Sequence, residues 1–136
     1  MTDLLGMADE RFVSLTTFRR GGEPVATPVW VARDGDALLV LTPSASGKVR
    51  RIRQDPRVEV RPCGRFGAVA AGAPTARGTA EVQDDTASET RARRSIRAAY
   101  PVESRLVLGI ERTLERLRRR PPAPRLALRI TPAAGL

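Results

Sequence analysis

Residues 25–42, VATPVWVARDGDALLVLT, set two apolar runs on either side of Asp34-Gly35. An Asp-Gly pair supplies the positive φ of a tight hairpin turn, whose twist matches that of the strands it joins. The chain is thereby committed to an antiparallel pair, and its neighbours extend the sheet. RFVSLTTF (11–18) alternates, with Val13, Leu15 and Thr17 on one face and Phe12, Ser14, Thr16 and Phe18 on the other; this is the period of a strand. RRGGEP is the turn that follows, and VATPVWVA is the second strand, where Pro28 implies an edge position or a bulge. ALLVLT is the third, apolar without a break, as a strand buried on both faces is. RVEVRPC, ARGTAEV and RLALRIT read as the fourth to sixth strands, with Leu126, Leu128 and Ile130 facing one way.

Helical signals are fewer. Residues 3–10 predict a short opening helix with Thr2 as N-cap. SGKVRRIRQD predicts a helix with Val49 and Ile52 turned inward, ended by Pro56. TASETRARRSIRAAY and VESRLVLGIERTLERLRRR predict two helices parted at Pro101, the second carrying an apolar stripe of Leu106, Val107, Ile110, Leu114 and Leu117. PPAP is a stiff linker, and GRFGAVAAGAP takes no element. One domain over 1–136 is expected at this length, with a barrel core over 11–133, a helical segment at 87–119 and the linker at 121–124. Early hairpins and six strands in 136 residues point to a small, mainly β barrel.

The chain has no histidine. That removes histidine-based triads, a histidine general base and most transition-metal sites, and moves any chemistry toward a bound organic cofactor. Cys63 is the one cysteine, which excludes an internal disulfide and multi-cysteine metal sites; it reads as inert packing beside Pro62. With neither a basic n-region before an apolar run nor an apolar stretch of membrane-spanning length, a cytoplasmic protein is expected. The net charge of +9 favours an anionic ligand, a nucleic acid or an acidic membrane without choosing among them. RLRRRPPAPR could meet nucleic acid, but no aromatic side chains interleave it to stack on bases, so it reads as a solvated helix end.

There are 23 arginines and one lysine, Lys48. With Ser46 as N-cap, Lys48, Arg50 and Arg51 crowd the positive end of the following helix, an arrangement unfavourable by about 0.3–1 kcal/mol per charge. A bound anion reverses that sign. The hydroxyls of Thr42, Ser44 and Ser46, the open backbone at Gly47 and the compact charge of Lys48 together describe a phosphate site; the plainer alternative is a solvated basic helix. Trp30, the sole tryptophan, reads either as core or as the flank of a planar ligand, and Tyr100 as a helix-end packing residue.

FVSLTTFRRGGEPVATPVWVARDGDALLVLT, SGKVRRIRQDPRVEVRPC and ARGTAEV resemble the deazaflavin (coenzyme F420)-dependent oxidoreductases of the pyridoxamine 5′-phosphate oxidase-like superfamily, from about Arg11 to Pro132. The resemblance implies a six-stranded split β-barrel of the FMN-binding type, a homodimer, and cofactors held between subunits. It implies that Thr27, Pro28, Val29 and Trp30 border the cofactor ring, that Thr42 lies near the ribityl chain, and that Ser46, Gly47, Lys48 and Arg50 hold the phosphate. The wording of TPVW and SGK is nearer the F420 branch than the FMN branch. The implied activity is hydride transfer between reduced F420 and a conjugated small-molecule acceptor, with no catalytic side chain and no metal. An FMN enzyme of the same fold and a non-catalytic F420 or flavin carrier are the alternatives; nucleic acid and membrane are not expected partners.

Overall fold

The computed structural model describes residues 4–10, 12–64, 66–100 and 125–133. Thr2, Arg11, the second of the two C-terminal helices, its arginine-rich end and the PPAP linker lie outside the described residues. A 3₁₀ turn at Leu5–Asp9 is followed by strands β1 (Val13–Phe18), β2 (Pro24–Val29), β3 (Ala32–Asp34) and β4 (Ala37–Pro43). Helix α1 (Gly47–Gln54), β5 (Arg57–Pro62), β6 (Ala76–Gln83), helix α2 (Thr86–Ala99) and β7 (Arg125–Pro132) complete the order.

Among the described residues there are seven strands, and they form one antiparallel sheet in the order β2-β1-β5-β6-β7-β4-β3. The expected count of six strands is corrected to seven. VATPVWVA is two strands, interrupted at Trp30 and Val31, and its halves occupy the two opposite edges of the sheet. Val29 and Ala32 are three residues apart, a span of at most about 11 Å. The two edges must therefore converge at this point, and the sheet curls into a split barrel. Pro24 and Pro28 sit on the β2 edge, where a missing N–H costs no ladder bond.

The alternation in β1 is realised as expected: Val13, Leu15 and Thr17 are fully buried. They share the barrel interior with Leu38, Val40, Val58, Val60, Leu128 and Ile130. The unbroken run of β4 is buried on both sides, because Leu39 and Leu41 pack outward with Ala92 of α2 and Ala127 of β7. The 3₁₀ turn contributes Leu4 and Met7 to the interior. Gly78 makes room there: a Cβ on it would stand 2.8 Å from the Thr131 carbonyl oxygen and 3.2 Å from Leu4 Cδ2.

Helix α1 forms because its polar sequence carries apolar residues three apart. Val49 and Ile52 are 2% and 3% exposed and turn into the barrel, each burial stabilising by about 1.5–3 kcal/mol. Ile52→Asp would place an unpaired charge there and undo the helix's attachment. Helix α2 starts at Asp85, whose carboxylate accepts the Ser88 N–H at 2.9 Å. It lies over the outer face of β3, β4 and β7, while α1, which follows β4 in the chain, packs on β1 and β6.

Candidate functional site

A cavity of about 280 Å³ opens where these elements meet, lined by Phe12, Pro28, Val29, Trp30, Leu41, Thr42, Pro43, Lys48, Ile96 and Arg125. Phe12 precedes β1, Pro28 and Val29 end β2, Leu41 to Pro43 end β4, and Arg125 opens β7 opposite Pro43. The wall is largely apolar, with charge from Lys48 and Arg125 and a hydroxyl from Thr42. Such a lining suits a ligand with an apolar body and a polar or anionic end.

Trp30 serves both as packing and as cavity wall. It stacks on Tyr100 with ring centroids 5.0 Å apart and planes 13° from parallel, and the pair packs with Ala32 and Ile96. Tyr100 is buried and its hydroxyl donates to the Glu10 carbonyl at 3.4 Å. One face of the indole is therefore fixed, and the cavity meets the rest of it.

The cationic side of the site is built on the first turns of α1. Lys48 is half-buried, and its amine is pushed below the ordinary lysine value first by burial and then by the charge of Arg51. Arg51 donates Nε–H to Thr17 Oγ1 at 2.6 Å. Its Nη1 lies 2.6 Å from where a Cβ on Gly47 would be, so only a glycine lets the guanidinium lie there. Burial lowers the Arg51 pKa, and Arg19 and Arg50 lower it further. Among the described residues no carboxylate forms an ion pair with Lys48, Arg19, Arg50 or Arg51. The cluster is thus a concentration of positive charge at a helix N-terminus, which an anion would stabilise.

The structure gathers Pro28, Val29, Trp30, Thr42 and Lys48 into the cavity wall. Thr27 pairs with Leu15 across the strands, and its Oγ1 is buried with no hydrogen-bond partner. Ser46 occupies the N-cap position in an extended conformation, but its hydroxyl does not cap the helix; it lies 3.2 Å from Thr42 Oγ1. Gly47 is covered by Arg51. Arg50 stands on another side of α1, in a second pocket of about 300 Å³ with Ser44, Ala45, Val49, Arg53 and Gln54. Phe12, Leu41, Pro43, Ile96 and Arg125 join the cavity without having been singled out in the sequence. Cys63 is outside it, and burial raises its thiol pKa, which disfavours the reactive thiolate.

The family model described as pyridoxamine 5′-phosphate oxidase matches residues 5–136. Among solved structures, a conserved hypothetical protein from Mycobacterium tuberculosis is similar with a TM-score of 0.66 and 19% identity, over 98% of this chain and 82% of the other. A protein described as an F420 reductase is similar with a TM-score of 0.61 and 18% identity, over 98% and 97%. The heme storage protein HutZ from Vibrio cholerae is similar with a TM-score of 0.62 and 15% identity, over 96% and 87%. No curated protein matches the chain by sequence.

Proposed function

The chain belongs to the pyridoxamine 5′-phosphate oxidase family, and on that premise we propose that it is an oxidoreductase that holds coenzyme F420 in the cavity beside Lys48 and reduces a conjugated organic acceptor. The observation that carries the reading is Lys48 itself, half-buried in a largely apolar wall that it shares with Arg125 and Thr42, crowded by Arg51 and without a carboxylate partner among the described residues. A phosphate supplies the missing charge. The orphaned Thr27 Oγ1 is a second sign that the β2 side has hydrogen-bonding capacity to spare.

In this reading Lys48 and the free N–H groups at the start of α1 hold the phosphate, with Ser46 and Gly47 beside it, while Arg50, on another side of α1, adds positive charge at longer range. Thr42 lies beside the ribityl chain, and Thr27, Pro28, Val29 and Trp30 border the ring. When bound, the deazaflavin supplies a hydride from its ring. The chain's own part is to orient, to exclude water with the apolar wall, and to neutralise the anionic end. Two copies of the chain, with a cofactor between them, complete the reading. Sedimentation at micromolar concentration should then report about twice 14.8 kDa.

A second reading, a non-catalytic carrier, is favoured by the composition of the lining, which among the described residues offers no carboxyl, thiol or phenol as a proton donor and has its one ammonium, Lys48, committed to the anion. Titration with F420 and with FMN, followed by Trp30 emission and cofactor absorbance, tests the first reading. F420 should bind more tightly at low salt, because its tail adds charge-assisted contacts, and the difference should shrink as salt rises. Equal affinities would favour an FMN enzyme. Binding without turnover across quinones, enones and bilins would favour the carrier.

A further inference from the structure

Between β5 and β6 the chain makes a tight turn: Gly67 N–H donates to the Gly64 carbonyl at 3.0 Å, and Gly64 N–H to the Ala68 carbonyl at 2.9 Å. Gly67 has φ +90°, which a side chain would resist. The turn is attached to the cavity wall at two points. Cys63 N–H donates to the Phe12 carbonyl at 3.1 Å, and Gly67 lies against Pro28, whose Cδ would be 3.5 Å from a Cβ on that glycine. Phe12 and Pro28 both line the cavity. Farther along, Arg61 Nη2 donates to the Ala73 carbonyl at 3.0 Å and ties down the returning limb.

Phe66 stands on this turn, 92% exposed, the one large apolar side chain so placed among the described residues. A scattered exposed apolar residue is ordinary. One carried on a hydrogen-bonded turn that abuts an apolar cavity wall has a use for its exposure. We infer that Phe66 is a rim residue of the cavity, which closes over a flat, uncharged, conjugated ligand and selects for that class of acceptor. The inference rests on the proposed function only in treating that ligand as the substrate.

The test compares the parent protein with Phe66→Ala and Phe66→Leu. Menadione, a flat uncharged quinone, is titrated into cofactor-free protein by quenching of Trp30 emission. It is also titrated into protein loaded with oxidised F420 or FMN, by equilibrium dialysis. Phe66→Ala should weaken menadione about five- to twentyfold, from the loss of an aromatic face, with Phe66→Leu between it and the parent. The thermal midpoint should not move, because the side chain is exposed. Menadione affinity indifferent to Phe66→Ala overturns the inference, and so does a parent that binds no menadione. Dissociation of a dimer by Phe66→Ala with menadione binding intact also overturns it, assigning Phe66 to contact with a second copy. A parent that retains neither F420 nor FMN, yet binds menadione in a Phe66-dependent way, removes the cofactor reading and leaves this one standing.

Discussion

Arg51 donates Nε–H to Thr17 Oγ1 at 2.6 Å, joining α1 to the barrel interior and holding the guanidinium across Gly47. Thr17→Val keeps the shape of a fully buried side chain but removes the acceptor. A lost hydrogen bond to a charged donor costs about 1.5–3 kcal/mol. Denaturant unfolding should show a loss in that range. Full parental stability would mean that Arg51 finds another acceptor at no cost.

Lys48→Ala should weaken FMN or F420 by about ten- to a hundredfold, the value of one charge-assisted bond. The ligand-free protein should lose no stability, since the lysine there is half-buried beside Arg51 with no anion. Lys48→Arg should be intermediate, its planar guanidinium fitting the site less well. Arg94→Ala, exposed on α2, is the control. Isothermal titration and thermal melts decide; an unaffected Lys48→Ala places the anion elsewhere.

The same lysine sets an alkaline dependence. Its folded pKa is lowered by burial and then by Arg51, so between that value and 10.5 the unfolded chain holds a proton that the folded one has shed. Stability therefore rises with pH through this window, and the penalty is present in full below it. Anion affinity runs the other way, falling as Lys48 loses its proton. Lys48→Met should abolish both trends, measured by melting and by phosphate titration at pH values approaching 10.5.

Gly47→Ala sets two effects against each other. Alanine gains up to about 1 kcal/mol of helix propensity, less at a helix end. Its Cβ, however, would lie 2.6 Å from Arg51 Nη1, the far end of a flexible side chain that must move away. Stability should change little, while anion affinity falls because the guanidinium is displaced. Unchanged affinity would show that Arg51 has no part in the site.

Tyr100→Ala removes a buried ring and one face of the Trp30 stack. Large aromatic truncations of this kind cost about 3–5 kcal/mol. Trp30 emission should shift to the red as water reaches the exposed face. An unshifted spectrum would mean that the indole is sheltered by something other than Tyr100.

Most strands were legible because period-two alternation survives burial of one face, as in Val13, Leu15 and Thr17. The break at Trp30 and Val31 was not, because VATPVWVA carries no turn residue at that point and its division is imposed by the opposite edges to which its halves pair. Lys48 stood out by residue type and by its place at a helix start. Ile96 and Arg125 reach the same cavity from elements far away in sequence, and nothing local distinguishes Ile96 from a packing residue. Phe12 reads as one face of an alternating strand and in fact precedes it, and Pro43 ends β4 and carries no site signal.

The joint at Trp30 and Val31 also governs the order in which the barrel can be assembled. β1–β2 and β3–β4 are local hairpins, consecutive in the chain, yet the finished sheet places β5, β6 and β7 between them. The first two hairpins can form early, but they must remain apart until the later strands arrive. β7 pairs with both β4 and β6, so a nascent chain emerging from the ribosome carries bare strand edges until residues 125–132 are made. Such pairings of high sequence separation slow folding and leave the unfinished chain open to association with its neighbours.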